Sequence, residues 1–157
     1  DALLTSLPGD ALVVALSGIS NHDNIGAIFR NAAAFEADAV LLDATCCDPL
    51  YRKAIRVSVG AALKVPFAVE ANEEALFAAL DRHGFDQIAL SPSGGEDIAC
   101  VARDGRTALW LGAEGHGLKE ATMARMRTAR IAMSAGFDSL NVATAGAIAL
   151  HRLWRPR

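Results

Sequence analysis

Residues 11–42 read ALVVALSGISNHDNIGAIFRNAAAFEADAVLL. Two continuous apolar runs, residues 11–16 (ALVVAL) and 39–42 (AVLL), flank a segment, 24–35, in which Ile25, Ile28, Phe29, Ala32 and Phe35 recur close to helical spacing. A run that is apolar at every position, rather than at alternate positions, reads as a strand covered on both faces. Strand, helix, strand is the repeating unit of a parallel sheet. The alternation continues outward. Helices are expected at 51–59, 73–83 (stopped by Gly84), 118–126 and 142–153, and strands at 65–69, 87–90, 107–111 and 131–133. The expected fold class is α/β, a mostly parallel sheet with helices on both faces. No repeat, low-complexity tract or long linker divides residues 1–157, so one domain is expected.

Composition sets the outer bounds. At 157 residues and 52% hydrophobic, the chain has enough apolar material for a core, which excludes global disorder. No window approaches ~18 uninterrupted apolar residues, so no membrane-spanning helix is expected. The segment after Asp1 shows no secretory pattern. Cys46, Cys47 and Cys100 are odd in number, and the adjacent pair is too close for an ordinary bridge. They also lack metal-ligand spacing, so reduced thiols in a cytoplasmic protein without a metal are expected. The net charge of −3 argues against a globally basic nucleic-acid binder. It is unevenly spread: seven lysines and arginines against two acids leave residues 119–157 at +5 and the rest at −8. That asymmetry permits a local surface for an anionic partner.

Three polar segments fall where strands end, the place where open α/β sheets bind ligands. The first is Ser20-Asn21-His22-Asp23-Asn24-Ile25-Gly26, which runs into a helix bearing Arg30 and Asn31. Asn24 or Asp23 is a candidate cap, Gly26 allows close backbone approach, and Arg30 among apolar neighbours calls for a partner. The second is Leu111-Gly112-Ala113-Glu114-Gly115-His116-Gly117-Leu118, a glycine-rich loop between strand and helix. It lacks the G-x-G-x-x-G order of a dinucleotide fingerprint. Glu114 is a candidate to pair with Arg30, and His116 a candidate proton carrier. The third is Asp138-Ser139-Leu140-Asn141-Val142, followed by small residues, where Ser139 or Asp138 is expected to cap the last helix and Asn141 to lie in its first turn.

Together these segments resemble the SpoU family of RNA 2′-O-ribose methyltransferases, within the SPOUT superfamily. The Asn-x-Gly-x-x-x-Arg motif is similar to Asn24-Ile25-Gly26 through Arg30. The Gly-x-Glu-Gly-x-Gly-Leu motif is similar to Gly112 through Leu118. The Ser-Leu-Asn-Val motif is similar to Ser139 through Val142, preceded by Ile131-Ala132-Met133. The chain departs from the family at Ala143, often Ser, at Ala132, usually Pro, and at His151, often Glu.

The resemblance implies a C-terminal deep trefoil knot, a bound S-adenosyl-L-methionine, and a homodimer with each active site near the subunit interface. It implies methyl transfer to a ribose 2′-hydroxyl of tRNA or rRNA. Arg30 is the implied catalytic residue, orienting the ribose and stabilising developing charge, since a guanidinium does not ordinarily accept a proton. Asn24 and Glu114 are implied to position Arg30 and the ribose, and Ser139 and Asn141 to order the site. The cofactor positions are Gly112, Ile131 and Leu140, with Leu111, Met133 and Leu90 around the adenosine. Arg52, Lys53 and Arg56, on one expected helix, are candidate RNA phosphate contacts. Relatives often carry an N-terminal substrate-binding domain, so the expectation is a catalytic domain whose RNA-binding domain lies outside residues 1–157. The alternatives are a catalytically inactive knotted RNA-binding or scaffold module, and a Rossmann-type oxidoreductase resting on the Gly112–Gly117 loop. Thermal shifts with S-adenosylhomocysteine, NAD and ATP separate these classes.

Overall fold

The computed structural model describes residues 1–156. Seven strands form one sheet in the order β3-β2-β1-β6-β4-β7-β5, every neighbouring pair parallel. In chain order the strands are β1 (Leu12–Ser17), β2 (Ala39–Asp43), β3 (Phe67–Glu70), β4 (Asp86–Leu90), β5 (Glu96–Asp97), β6 (Thr107–Gly112) and β7 (Arg127–Arg130). The helices are α1 (Ala2–Ser6), α2 (His22–Ala34), α3 (Arg52–Val57), α4 (Glu73–Arg82), α5 (Glu120–Met123) and α6 (Val142–Leu153).

The continuous apolar runs are buried on both faces, as their lack of alternation requires. Leu12, Val14 and Leu16 of β1 join one core layer with α2 and α6. Ala11, Val13 and Ala15 join the other with α4. Trp110, on central β6, is fully buried, and its indole N–H donates to Gln87 Oε1 at 2.9 Å. Gln87 Nε2 donates in turn to the Phe77 carbonyl at 3.3 Å, so the polar atoms of this buried pair are not left stranded.

Several boundaries differ from expectation, each for a local reason. α2 starts earlier, because Asn21 rather than Asn24 or Asp23 caps it, accepting from Asn24 N at 3.1 Å. Only Glu120–Met123 of the expected 118–126 helix is α-helical. The last strand is Arg127–Arg130, not 131–133, and Ile131 and Met133 lie just past its end. Its polar composition concealed it. Arg127 pairs with Asp86 at 2.6 Å and Glu96 at 3.0 Å, while only Ala129 of the four is buried. Residues 91–95 cross over the end of β7, carrying the chain from β4 on one side to β5 on the other. Ser91 N donates to Ala129 O at 2.9 Å, and the Arg130 guanidinium donates to Gly94 O at 2.9 Å.

Two contacts set the upper edge of the sheet. The Ser17 hydroxyl sits between the buried carboxylates of Asp43 (2.6 Å) and Glu73 (2.7 Å), tying the ends of β1 and β2 to the start of α4. Gly26 accounts for the approach of α3 to α2. A Cβ there would fall 2.7 Å from the Ala54 carbonyl and 2.8 Å from Val57 Cβ. The glycine thus admits a neighbouring helix rather than a ligand. Gly26→Ala is expected to lower unfolding free energy by about 1–3 kcal/mol, the usual range for overpacking, as measured by urea denaturation.

Burial alone would raise the Asp43 carboxyl. Hydrogen bonds from the Ser17 and Thr45 hydroxyls and from the Gly18 and Thr45 amides outweigh it and hold the group below the usual carboxylate range. A carboxyl whose folded pKa is lowered stabilises the fold above its unfolded pKa of about 3.9, and that contribution disappears as pH falls through the folded value. Asp43→Asn is therefore expected to destabilise the protein by about 1–3 kcal/mol at pH 7. The gap from wild type should narrow below about pH 4, measured by urea titrations across pH.

Candidate active site

The three polar segments meet at the C-terminal edge of the sheet, and Asn141 joins them. Asn141, not Ser139 or Asp138, is the N-cap of α6. Its Oδ1 accepts from the amides of Ala143 (3.0 Å) and Thr144 (3.2 Å). Two backbone donors fix the orientation of the carboxamide, so Nδ2 is the donor on the other side. Nδ2 lies 3.0 Å from Asn24 Oδ1 and 3.0 Å from Glu114 Oε1. One helix further in, Asn31 Nδ2 donates to the Ala143 carbonyl at 2.9 Å, fastening α2 to α6.

On one side of this bridge lies a cavity of about 160 Å³. Leu90, Leu111, Gly112, Ile131, Met133 and Leu140 all line it, so the six positions expected to hold a cofactor come together although they derive from four chain segments. Ser139 and Glu114 stand at the same cavity. Ser91 and Pro92 line it as well, and sequence reasoning missed them. The signal was present: Ser91-Pro92-Ser93-Gly94-Gly95 is a turn-forming cluster directly after an apolar strand. Gly112 is required by the loop itself. A Cβ there would sit 2.4 Å from Leu118 N, because the loop folds back with Gly117 N donating to Ala113 O at 2.9 Å.

On the other side of Glu114 is a second cavity, of about 170 Å³, lined by the polar residues Ser20, Asn21, Asn24, Glu114 and His116. The two cavities share Ala113, Glu114 and Val142. An apolar pocket and a polar pocket thus adjoin across one carboxylate.

A profile of the SpoU rRNA Methylase family matches residues 11–151. The chain belongs to this family. An uncharacterised tRNA/rRNA methyltransferase of Mycobacterium tuberculosis is 46% identical over 156 residues, covering 94% of this chain and 53% of that protein. The 23S rRNA (guanosine-2′-O-)-methyltransferase RlmB of a Burkholderia species is 31% identical over 158 residues, covering 100% of this chain and 64% of that protein. The chain thus spans between about half and two thirds of the length of these relatives. The crystal structure of an AdoMet-bound rRNA methyltransferase from Sinorhizobium meliloti matches with a TM-score of 0.89 at 27% identity, covering 96% of this chain and 59% of that one.

Within this SpoU chain, Arg30 departs from expectation. It is exposed on α2 and lines neither cavity. Among the described residues no ion pair joins it to Glu114, whose hydrogen-bond partner is Asn141. The reason is helical geometry: six residues past Asn24, Arg30 is about 9 Å along the axis and turned to a different face. Part of the C-terminal positive charge is also engaged within the fold. Arg125 pairs with Glu74, Arg127 with Asp86 and Glu96, and Arg130 and Arg155 donate to backbone carbonyls. Arg157 lies outside the described residues. Arg52, Lys53 and Arg56 are exposed on α3, with Lys53 3.1 Å from Asp23.

The cysteines form no bridge, and burial, with Asp43 nearby, pushes the Cys46 thiol up to about 12. His116, the candidate proton carrier, is exposed at the polar cavity.

Asn141 caps a helix and also bridges two loops, and substitutions can separate these roles. Asn141→Ala is expected to lose about 0.5–2 kcal/mol of stability, measured by chemical denaturation. Asn141→Ser keeps a capping oxygen, so it should be destabilised less than Asn141→Ala while breaking the link to Asn24 and Glu114.

Proposed function

We propose that this chain catalyses S-adenosylmethionine-dependent methylation of a ribose 2′-hydroxyl in tRNA or rRNA. The observation that carries the reading is the Asn24–Asn141–Glu114 bridge, set between an apolar cavity and a polar one. The apolar cavity suits an adenosyl group. Leu90, Leu111, Ile131, Met133 and Leu140 offer walls for a flat ring, and the Gly112–Gly117 backbone offers donors and acceptors for its edges. When bound, S-adenosylmethionine supplies an electrophilic methyl group.

The chain's own residues prepare the acceptor. Asn141 holds Glu114 at the boundary of the cavities, leaving the second carboxylate oxygen to accept a ribose hydroxyl. Asn24 receives the Asn141 amide on Oδ1, which leaves its own Nδ2 to donate to a ribose or phosphate oxygen. Ser139 stands at the cavity mouth. Arg30 is the proposed stabiliser of the charge that develops as the 2′-oxygen loses its proton.

Arg30's place outside both cavities of its own chain supports a homodimer in which it serves a neighbouring copy's site. The exposed apolar side chains of Phe137, Leu140 and Ile148 support the same arrangement. The proposed C-terminal trefoil knot finds support in the passage of residues 91–95 over β7. Three free cysteines suit a cytoplasmic setting. A separate substrate-binding domain outside these residues would supply much of the RNA affinity.

Calorimetric titration with S-adenosylhomocysteine is expected to show one saturable site per chain. Absence of binding by the folded chain would sink the cofactor assignment. Tritiated methyl transfer into unmodified tRNA and rRNA transcripts then tests the reaction. Arg30→Ala is expected to reduce turnover at least about 100-fold while S-adenosylhomocysteine affinity stays within about twofold. Unchanged turnover would remove Arg30 from the mechanism.

A further inference from the structure

We infer that Tyr51 and His22 form a stacking step for an unpaired RNA base flanking the nucleotide in the polar cavity. This rests on the reading of the protein as an RNA methyltransferase. The two rings are 4.4 Å apart, centroid to centroid, with 36° between their planes. Tyr51 is 55% exposed, so one side of its ring is held while much of the rest meets solvent. An open ring face of this kind is the surface on which an unpaired base stacks.

The step adjoins the proposed substrate cavity. His22 follows Asn21 and precedes Asn24 by two residues, and both asparagines line that cavity. The step is also held firmly. Tyr51 is the N-cap residue of α3, and α3 is pressed against α2 at the Gly26–Ala54 contact. Lys53 and Asp23 add a 3.1 Å ion pair between the same two helices.

The charges around it select the ligand. Lys53 is neutralised by Asp23, but Arg52 and Arg56 are exposed, and among the described residues neither forms an ion pair. Nearby Asp48 accepts the Leu50 amide at 2.8 Å. An exposed aromatic at the start of a short helix that also carries two arginines without ion pairs is the chemistry that grips a single strand: a ring for the base and cations for the phosphates. A purely acidic partner would use the arginines and leave the ring idle. A purely apolar partner would have to desolvate both arginines without compensation. Arg52 and Arg56, expected from sequence to meet phosphate, share a helix with the Tyr51 cap; the stack of that ring on His22 was hidden from sequence spacing because the two residues are 29 positions apart.

Two fluorescein-labelled strands of equal charge test the inference by anisotropy: a 12-residue oligoadenylate and an abasic 12-residue ribose-phosphate strand. Tyr51→Ala is expected to weaken oligoadenylate binding at least about fivefold, the lower end of one base–aromatic stack. Abasic-strand binding should stay unchanged, and Tyr51→Phe should retain wild-type affinity for both strands. Tyr51→Trp adds an exposed indole, whose emission above the wild-type background should be quenched by oligoadenylate and not by the abasic strand. Equal losses on both strands would show a phosphate or structural role and overturn the stacking assignment. So would unaltered affinity in Tyr51→Ala, or failure of the wild-type chain to prefer oligoadenylate. S-adenosylhomocysteine titration of the same variants keeps the two readings apart. A chain that prefers oligoadenylate through Tyr51 but binds no S-adenosylhomocysteine retains the step and loses the methyltransferase reading.

Discussion

The carboxamide of Asn141 makes four hydrogen bonds at once, and the candidate site depends on their direction. Two backbone amides at the start of α6 occupy its oxygen, so its nitrogen must face the loops after β1 and β6. A helix cap is ordinarily a local device. Here the capping residue also fixes the mutual position of Asn24 and Glu114, which are 90 residues apart in sequence. The sheet below explains how the three segments arrive together. β1 and β6 are hydrogen-bonded neighbours in register from Leu12 and Thr107 to Ser17 and Gly112, so their C-terminal loops emerge side by side.

The central sheet was legible because its strands are apolar on both faces. Residues 11–16 and 39–42 fall within a residue of β1 and β2, and residues 142–153 coincide with α6. Legibility failed where pairing substituted for apolar character. β7 carries two arginines in four residues and reads as a loop until Asp86, Glu96 and the carbonyls of residues 94 and 95 are seen to receive them. β5, two residues long, has no periodicity to detect. In the site, chemistry was legible before placement. The cofactor positions gather in one cavity, but the cap of α6 fell on Asn141 and Arg30 stands apart. Capping and side-chain direction depend on where a helix begins, and a single residue of error turns every side chain by about 100°.

Charge also changes meaning once partners are visible. The C-terminal stretch is basic in sequence, yet Arg125, Arg127 and Arg130 are spent on fastening β7 and its surroundings to acids and carbonyls from earlier in the chain. The exposed Arg52 and Arg56, which have no ion pair among the described residues, come instead from α3, in the acidic majority of the sequence. Local charge at a site therefore does not follow from regional charge in the chain.

The crossing of residues 91–95 over β7 has a bearing on biosynthesis. The loop rests on Ala129, and β5 pairs only with β7, so both must wait for a strand that begins 30 residues after β5 ends. At roughly 5–20 residues per second, translation leaves that part of the chain without its partner for about 2–6 s. During that interval β1, β2 and β3 already have one another, while the wall of the apolar cavity formed by Leu90, Ser91 and Pro92 has nothing to lie on. The nascent chain thus pairs β1, β2 and β3 before it acquires a pocket, and the capacity to bind comes only after β7 and the segment that follows it have been made.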